Sequence, residues 1–161
     1  MAPAQADLAL RLLVAFALTF GLGFERQLRG SSAGDRTFAL IGVSTAVIGV
    51  LSEKGAPNAL AGAVTGVGFI GAGLTFRESI KDHQVLRGIT TGAAILAAAA
   101  IGAAAGEGYF LVAVVATALV LLVLEIRYLP ALRHLDARRW QGYVRSDEED
   151  EESDGPNFDG K

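Results

Sequence analysis

The sequence predicts an all-α integral membrane protein with five transmembrane helices, its N-terminus outside and its C-terminus in the cytoplasm. Three observations carry this reading. Five apolar runs, at residues 8–24, 37–51, 59–76, 89–105 and 109–124, occupy most of the first 125 residues. Hydrophobic residues make up 52% of the 161 and charged residues 19%, with a mean hydropathy of +0.41, a balance too apolar for a water-soluble domain of this size. The basic residues alternate from one connector to the next, as the positive-inside rule requires. A soluble helical bundle is the competing reading, but it would lack the polar surface to cover five such runs.

The runs are each about 15–18 residues long, slightly under the roughly 20 needed to cross a bilayer, and flanking residues extend them. Residues 1–7 carry no basic n-region, so the first run reads as a retained helix and not a cleaved signal. Arg11 is the one cation well inside a run. It stands four residues after Asp7, which predicts a snorkelling i,i+4 ion pair; the rival is a polar cavity lined by Arg11. The first connector holds Arg26, Arg29 and Arg36, the second Lys54, the third Arg77, Lys81 and Arg87, the fourth no cation but Glu107. After the fifth run come Arg127, Arg133, Arg138, Arg139 and Arg145, which places the C-terminus inside.

The third run contains the glycine-rich stretch GAVTGVGFIGAG at residues 62–73. At 100° per residue Gly62, Gly66 and Gly73 fall on one stripe with Phe69 as a knob among them, while Gly68 and Gly71 point to roughly the opposite side. In a bilayer such residues let helix backbones touch, because no Cβ holds them apart. Small residues on two faces predict that this helix packs between two partners at the centre of the bundle. Leucine at Gly66 or Gly73 is then expected to disrupt the bundle, and leucine at Gly49 to be milder. The functional rival is a broken helix whose freed backbone groups line an ion path. The fourth run carries related notches, Gly88 with Gly92 and Gly102 with Gly106.

Residues 1–125 therefore read as a five-span membrane domain. Residues 126–145 are basic and carry Tyr128, Trp140 and Tyr143, with Pro130 marking a break; this reads as an interfacial segment on anionic lipid, the rival being a partner-binding helix. Residues 146–161 form an acidic tail expected to be disordered, and its acids account for the net charge of −3.

Several function classes are excluded. There is no cysteine, and His83 and His134 are far apart in charged surroundings, so no metal site is expected. No G-x-x-x-x-G-K-[ST] occurs, which rules out a P-loop pump, and no triad or paired intramembrane carboxylates suggest catalysis. No enzyme activity and no cofactor are expected. Nucleic-acid binding is not expected, since the cations hug the membrane ends and the free tail is acidic.

Residues 66–73 (GVGFIGAG) resemble the G-[IV]-G-F-[LI]-G-A-G motif of the MgtC/SapB family of small bacterial membrane proteins. Residues 23–26 (GFER) resemble that family's G-x-E-R, residues 33–37 (AGDRT) its A-G-x-R-T, and residues 87–91 (RGITT) its G-[LI]-T-T. The resemblance covers about residues 8–125, with Asp35, Phe38 and Leu96 departing from the family's usual residues. It implies a short form, since longer members carry a folded cytoplasmic domain after the last span. On the predicted topology all four motifs converge on the cytoplasmic half.

There, Thr37 or Asp35 is expected to cap the second helix and Thr90 or Thr91 the fourth. Glu25 is expected to pair with Arg36 or Arg77 at the membrane edge. The functional alternative is a small polar site at the inner mouth formed by Glu25, Arg26, Arg36, Thr37, Arg77, Thr90 and Thr91, with Glu25 as its anion. The resemblance implies a non-enzymatic accessory or regulatory protein of the prokaryotic plasma membrane, tied to magnesium limitation, acid or envelope stress. It would act through helix contacts in the lipid bilayer with other membrane proteins, such as an ATP synthase or a transporter. The alternative is a small ion or solute transporter or channel acting as a homo-oligomer.

Overall fold

The computed structural model describes residues 3–80, 83–126 and 128. Five helices follow one another: α1 (Pro3–Leu28), α2 (Asp35–Glu53), α3 (Pro57–Gly73), α4 (Ile89–Gly106) and α5 (Phe110–Glu125). Each expected apolar run is thus helical over most of its length. The chain divides into two compact units, Met1–Leu121 and Leu122–Lys161. The described part of the second is residues 122–126 and 128, the end of α5 and the turn after it. The interfacial segment and the acidic tail expected from the sequence otherwise lie outside the described residues.

The connector between α3 and α4 departs from the all-α expectation. It folds as an antiparallel hairpin, β1 (Phe76–Ile80) with β2 (His83–Arg87), in which Phe76 stands opposite Arg87 and Ile80 opposite His83. The third apolar run therefore leaves the helix at Gly73, and Phe76 begins a strand. Apolarity of the run cannot separate the two states here, because Phe and Ile suit a strand as well as a helix.

Three helices are long and apolar enough to cross a membrane, at residues Ala4–Leu28, Asp35–Glu53 and Ile89–Gly106. α5 is a shorter apolar helix and α3 has 17 residues. Many large apolar side chains face outward. Phe16, Phe20 and Phe24 stack along the outside of α1, with successive ring centroids 5.5 and 6.5 Å apart. Leu111, Val112 and Leu119 are exposed on α5. Such a surface suits hydrocarbon and not water.

The interior is built by backbone approach. α2 and α4 cross where Gly42, Ala46 and Gly49 meet Gly102, Ala103 and Gly106. A Cβ on Gly49 would stand 2.6 Å from the Ala103 carbonyl oxygen, one on Gly106 2.7 Å from Ala46 Cα, and one on Gly102 2.9 Å from Gly42 Cα. α1 joins α2 through Thr19, buried against Gly42, and through Gly23, where a Cβ would lie 2.7 Å from both Asp35 Cα and Phe38 Cβ. Phe38 is the largest fully buried side chain. Thr19, Thr45 and Thr117 are buried, and each returns its hydroxyl proton to a carbonyl four residues earlier in its own helix.

α4, not α3, is the centre. It packs on α1, α2 and α3, and ten of its residues are buried. On α3 the buried residues are Val67 and Gly71. Among the described residues nothing lies within 4 Å of a Cβ built on Gly62, Gly66, Gly68 or Gly73, and Phe69 is 82% exposed. The reason is composition: α4, ITTGAAILAAAAIGAAAG, is small on every side and admits neighbours all round, whereas α3 offers α4 one close point, Gly71 against Gly92.

At the end of the bundle away from the hairpin, Arg11 ties three helices. Its guanidinium donates to Asp7 at 2.9 Å, to Glu53 of α2, and to the Gly106 carbonyl of α4 at 3.0 Å. The expected Asp7 pair is present. The carbonyl end of α4 is also where a helix favours a cation.

Candidate functional site

The four family-like motifs meet at one end of the bundle. Gly23 of the first lies against Asp35 and Phe38 at the start of α2. Gly71 of the third lies against Gly92, just past the fourth. Gly88 takes φ +90°, a conformation that favours glycine, and a Cβ there would lie 3.0 Å from the Leu74 carbonyl carbon. A hydrogen bond of 3.0 Å between the Ser31 and Thr91 hydroxyls links the α1–α2 connector to α4. Sequence reasoning overlooked Ser31, because nothing in a short polar connector marks one serine over its neighbour Ser32.

Glu25 and Arg26 form a largely buried pair in which the guanidinium grips both carboxylate oxygens, and Arg29 Nε stands 3.6 Å from the same carboxylate. This corrects the expectation that Glu25 pairs with Arg36; the alternative partner, Arg77, has its side chain outside the described residues. Arg26 is adjacent and Arg29 one turn on, so α1 satisfies its own carboxylate without reaching to another element. Arg77 lies in β1 opposite Leu86.

The expected caps are also different. The N-cap of α2 is Gly34 and that of α4 is Gly88, neither with a side-chain cap bond. Asp35 and Thr37 lie inside the first turn of α2, where the Asp35 carboxylate accepts the Arg36 N–H at 2.7 Å. Thr90 is exposed on the first turn of α4, and Thr91 is buried with its hydroxyl on Ser31.

Of the candidates for the mouth, Arg36 and Thr37 line one cavity of about 480 Å³ together with Gln27, Ser32, Gly34 and Asp35. Its lining offers a carboxylate, a guanidinium, two hydroxyls and an amide, which suits a small polar group of either sign. Glu25 is not among the lining residues, so Asp35 is the cavity's carboxylate. Among the described residues no three His, Asp or Glu side chains converge into a metal-holding group.

Comparison with known proteins adds the following. The MgtC family model matches residues 12–129, which include all four motifs. YhiD of Escherichia coli, provisionally named a magnesium transporter, is 37% identical over 134 residues, covering 75% of this chain and 60% of YhiD. SapB of Bacillus subtilis is 32% identical over 137 residues, 77% of this chain and 57% of SapB. MgtC of Brucella abortus is 37% identical over 114 residues, 68% of this chain and 46% of MgtC. The chain thus spans about half to three-fifths of the length of these relatives. No solved structure matches.

Proposed function

The chain belongs to the MgtC family, and from that membership we propose that it is a non-enzymatic, multi-pass accessory protein of the prokaryotic plasma membrane. It is linked to magnesium or envelope stress and acts through helix contacts with other membrane proteins, such as an ATP synthase or a transporter. It crosses the bilayer five times, with the N-terminus outside and the motif-bearing end cytoplasmic.

One observation carries the accessory reading over a transport reading. Among the described residues every buried side-chain polar atom has a partner within the chain. An ion leaving water needs oxygen ligands along its way, and among the described residues no buried side-chain oxygen is left without a partner to mark such a path. What it offers instead is outward apolar surface, of which the α3 stripe of Gly62, Gly66, Phe69 and Gly73 is the most notched. A partner helix would find there both a knob and holes.

The second reading is a small transporter or channel acting as a homo-oligomer. The provisional name of YhiD favours it, with magnesium as the ion. Its path would then run between copies. Magnesium flux into proteoliposomes of the purified chain separates the readings. The accessory role expects flux no greater than in protein-free vesicles, together with a membrane protein that co-purifies from native membranes. Magnesium-selective flux well above that background overturns it.

A further inference from the structure

We propose that a groove between α3 and α4 binds one acyl chain of a phospholipid with an amine headgroup, whose ammonium meets Glu107. The groove is a cavity of about 260 Å³ with Leu60 and Val64 of α3 on one wall, Ala100 and Ala103 of α4 on the other, and Glu107 and Tyr109 at its end. Alanines at 99, 100, 103 and 104 leave α4 smooth where larger side chains would close the gap. From Ala99 to Glu107 the wall runs about 12 Å along the helix, the reach of part of an acyl chain. Val64, Ala100 and Tyr109 are exposed, so the groove opens sideways from the bundle. Beside an apolar span, that side is hydrocarbon.

The headgroup follows from charge. Glu107 is the residue just past the last one of α4, at the boundary of a candidate span. Among the described residues it has no ion pair. Arg11, whose guanidinium lies beside Gly108, is already engaged by Asp7, Glu53 and the Gly106 carbonyl. A carboxylate at a helix C-terminus sits at the negative end of the dipole, which favours an added cation. Tyr109 supplies an exposed aromatic at the same level, as at membrane interfaces. An ammonium headgroup above an acyl chain satisfies all three features; a phosphatidylglycerol headgroup brings no cation to the carboxylate.

Native mass spectrometry of the full chain in detergent tests this. It is titrated with phosphatidylethanolamine or phosphatidylglycerol carrying the same acyl chains. The expected result is one retained phosphatidylethanolamine, with a preference of about tenfold over phosphatidylglycerol, equivalent to about 1.4 kcal/mol. Glu107→Gln should abolish the preference, Glu107→Asp should keep it, and Ala100→Leu, at an exposed position, should lose the retained lipid. Size-exclusion elution and melting temperature of each variant report that it is folded. Equal retention of the two lipids by the unaltered chain overturns the proposal. So does a preference that survives Glu107→Gln, or retention unchanged in a folded Ala100→Leu.

Discussion

Glycines in this chain differ in what they face, and that difference predicts opposite outcomes for the same substitution. At Gly49 and Gly106 a Cβ would meet backbone atoms of the facing helix at 2.6 and 2.7 Å. Backbone cannot swing aside as a side-chain tip can, so leucine at either should force α2 and α4 apart, at a cost of about 1–3 kcal/mol or more. At Gly66 nothing described lies within 4 Å, and leucine there should leave the melting temperature of the detergent-solubilised protein within a degree or two of the unaltered chain. The proposed accessory role adds that Gly66→Leu should fold yet lose the co-purifying partner. Thermal unfolding of the three variants in one detergent checks the order. This reverses the ranking that the glycine pattern alone suggested. The stripe of Gly62, Gly66, Phe69 and Gly73 was legible in the sequence because it needs only a 100° step per residue. What the stripe faces was not legible, because periodicity describes one helix and a contact needs two.

Between elements, the legible part was the set of helices, and the illegible part was their arrangement. Long apolar runs must be buried or lie in lipid, so a helix appeared on each of the five, though the third ended at Gly73, short of Phe76. α4 became central because it is built almost wholly of small residues, a property visible in residues 89–106 but overshadowed by the motif-bearing glycines of α3. The hairpin of β1 and β2 was hidden for a different reason: each strand has five residues, too few for alternation to stand out. Arg11 shows the same limit. Its pair with Asp7 lies within one helix and could be read from the spacing, whereas Glu53 and the Gly106 carbonyl come from elements distant in sequence. Because Arg11 joins α1, α2 and α4, Arg11→Met should loosen that end of the bundle. Asp7 and Glu53 remain about half exposed and can be solvated, so the loss should be about 1 kcal/mol and not the larger cost of stranding a buried charge. Melting in detergent should fall by a few degrees, with little change for the salt-screened Asp7→Asn. A loss above about 3 kcal/mol for Arg11→Met would mean that the carbonyl contact at α4 carries the junction.

For the whole molecule, the decisive quantity is the parity of crossings, and the two short helices, α3 and the 16-residue α5, decide it. With 17 residues α3 is about 26 Å long, short of the roughly 30 Å hydrocarbon core. A mismatch of a few ångströms is tolerated by local thinning of the bilayer. The hydrogen bond between Ser31 and Thr91 gives a reason to count α3 as a crossing. It holds the start of α4 beside the α1–α2 connector, so whatever distance α2 carries the chain away, α3 must carry it back. If α2 crosses, α3 does too, and the proposed crossings of α4 and α5 would then bring the Arg-rich residues 127–145 to the same side as Arg26, Arg29 and Arg36, as the charge rule expects. A re-entrant α3 would put those two basic groups on opposite sides, against the charge rule. Reporter fusions therefore have definite expected readings. Fusions after Arg145 and within the β1–β2 turn should report from the cytoplasm, and fusions after Gly55 or Gly108 from outside. A reporter within the β1–β2 turn that proves to be outside, with the Gly55 fusion also outside, would remove α3 from the count of spans. It would also place the motif-bearing ends of α1 and α4 on different sides of the membrane, which the Ser31–Thr91 bond does not permit.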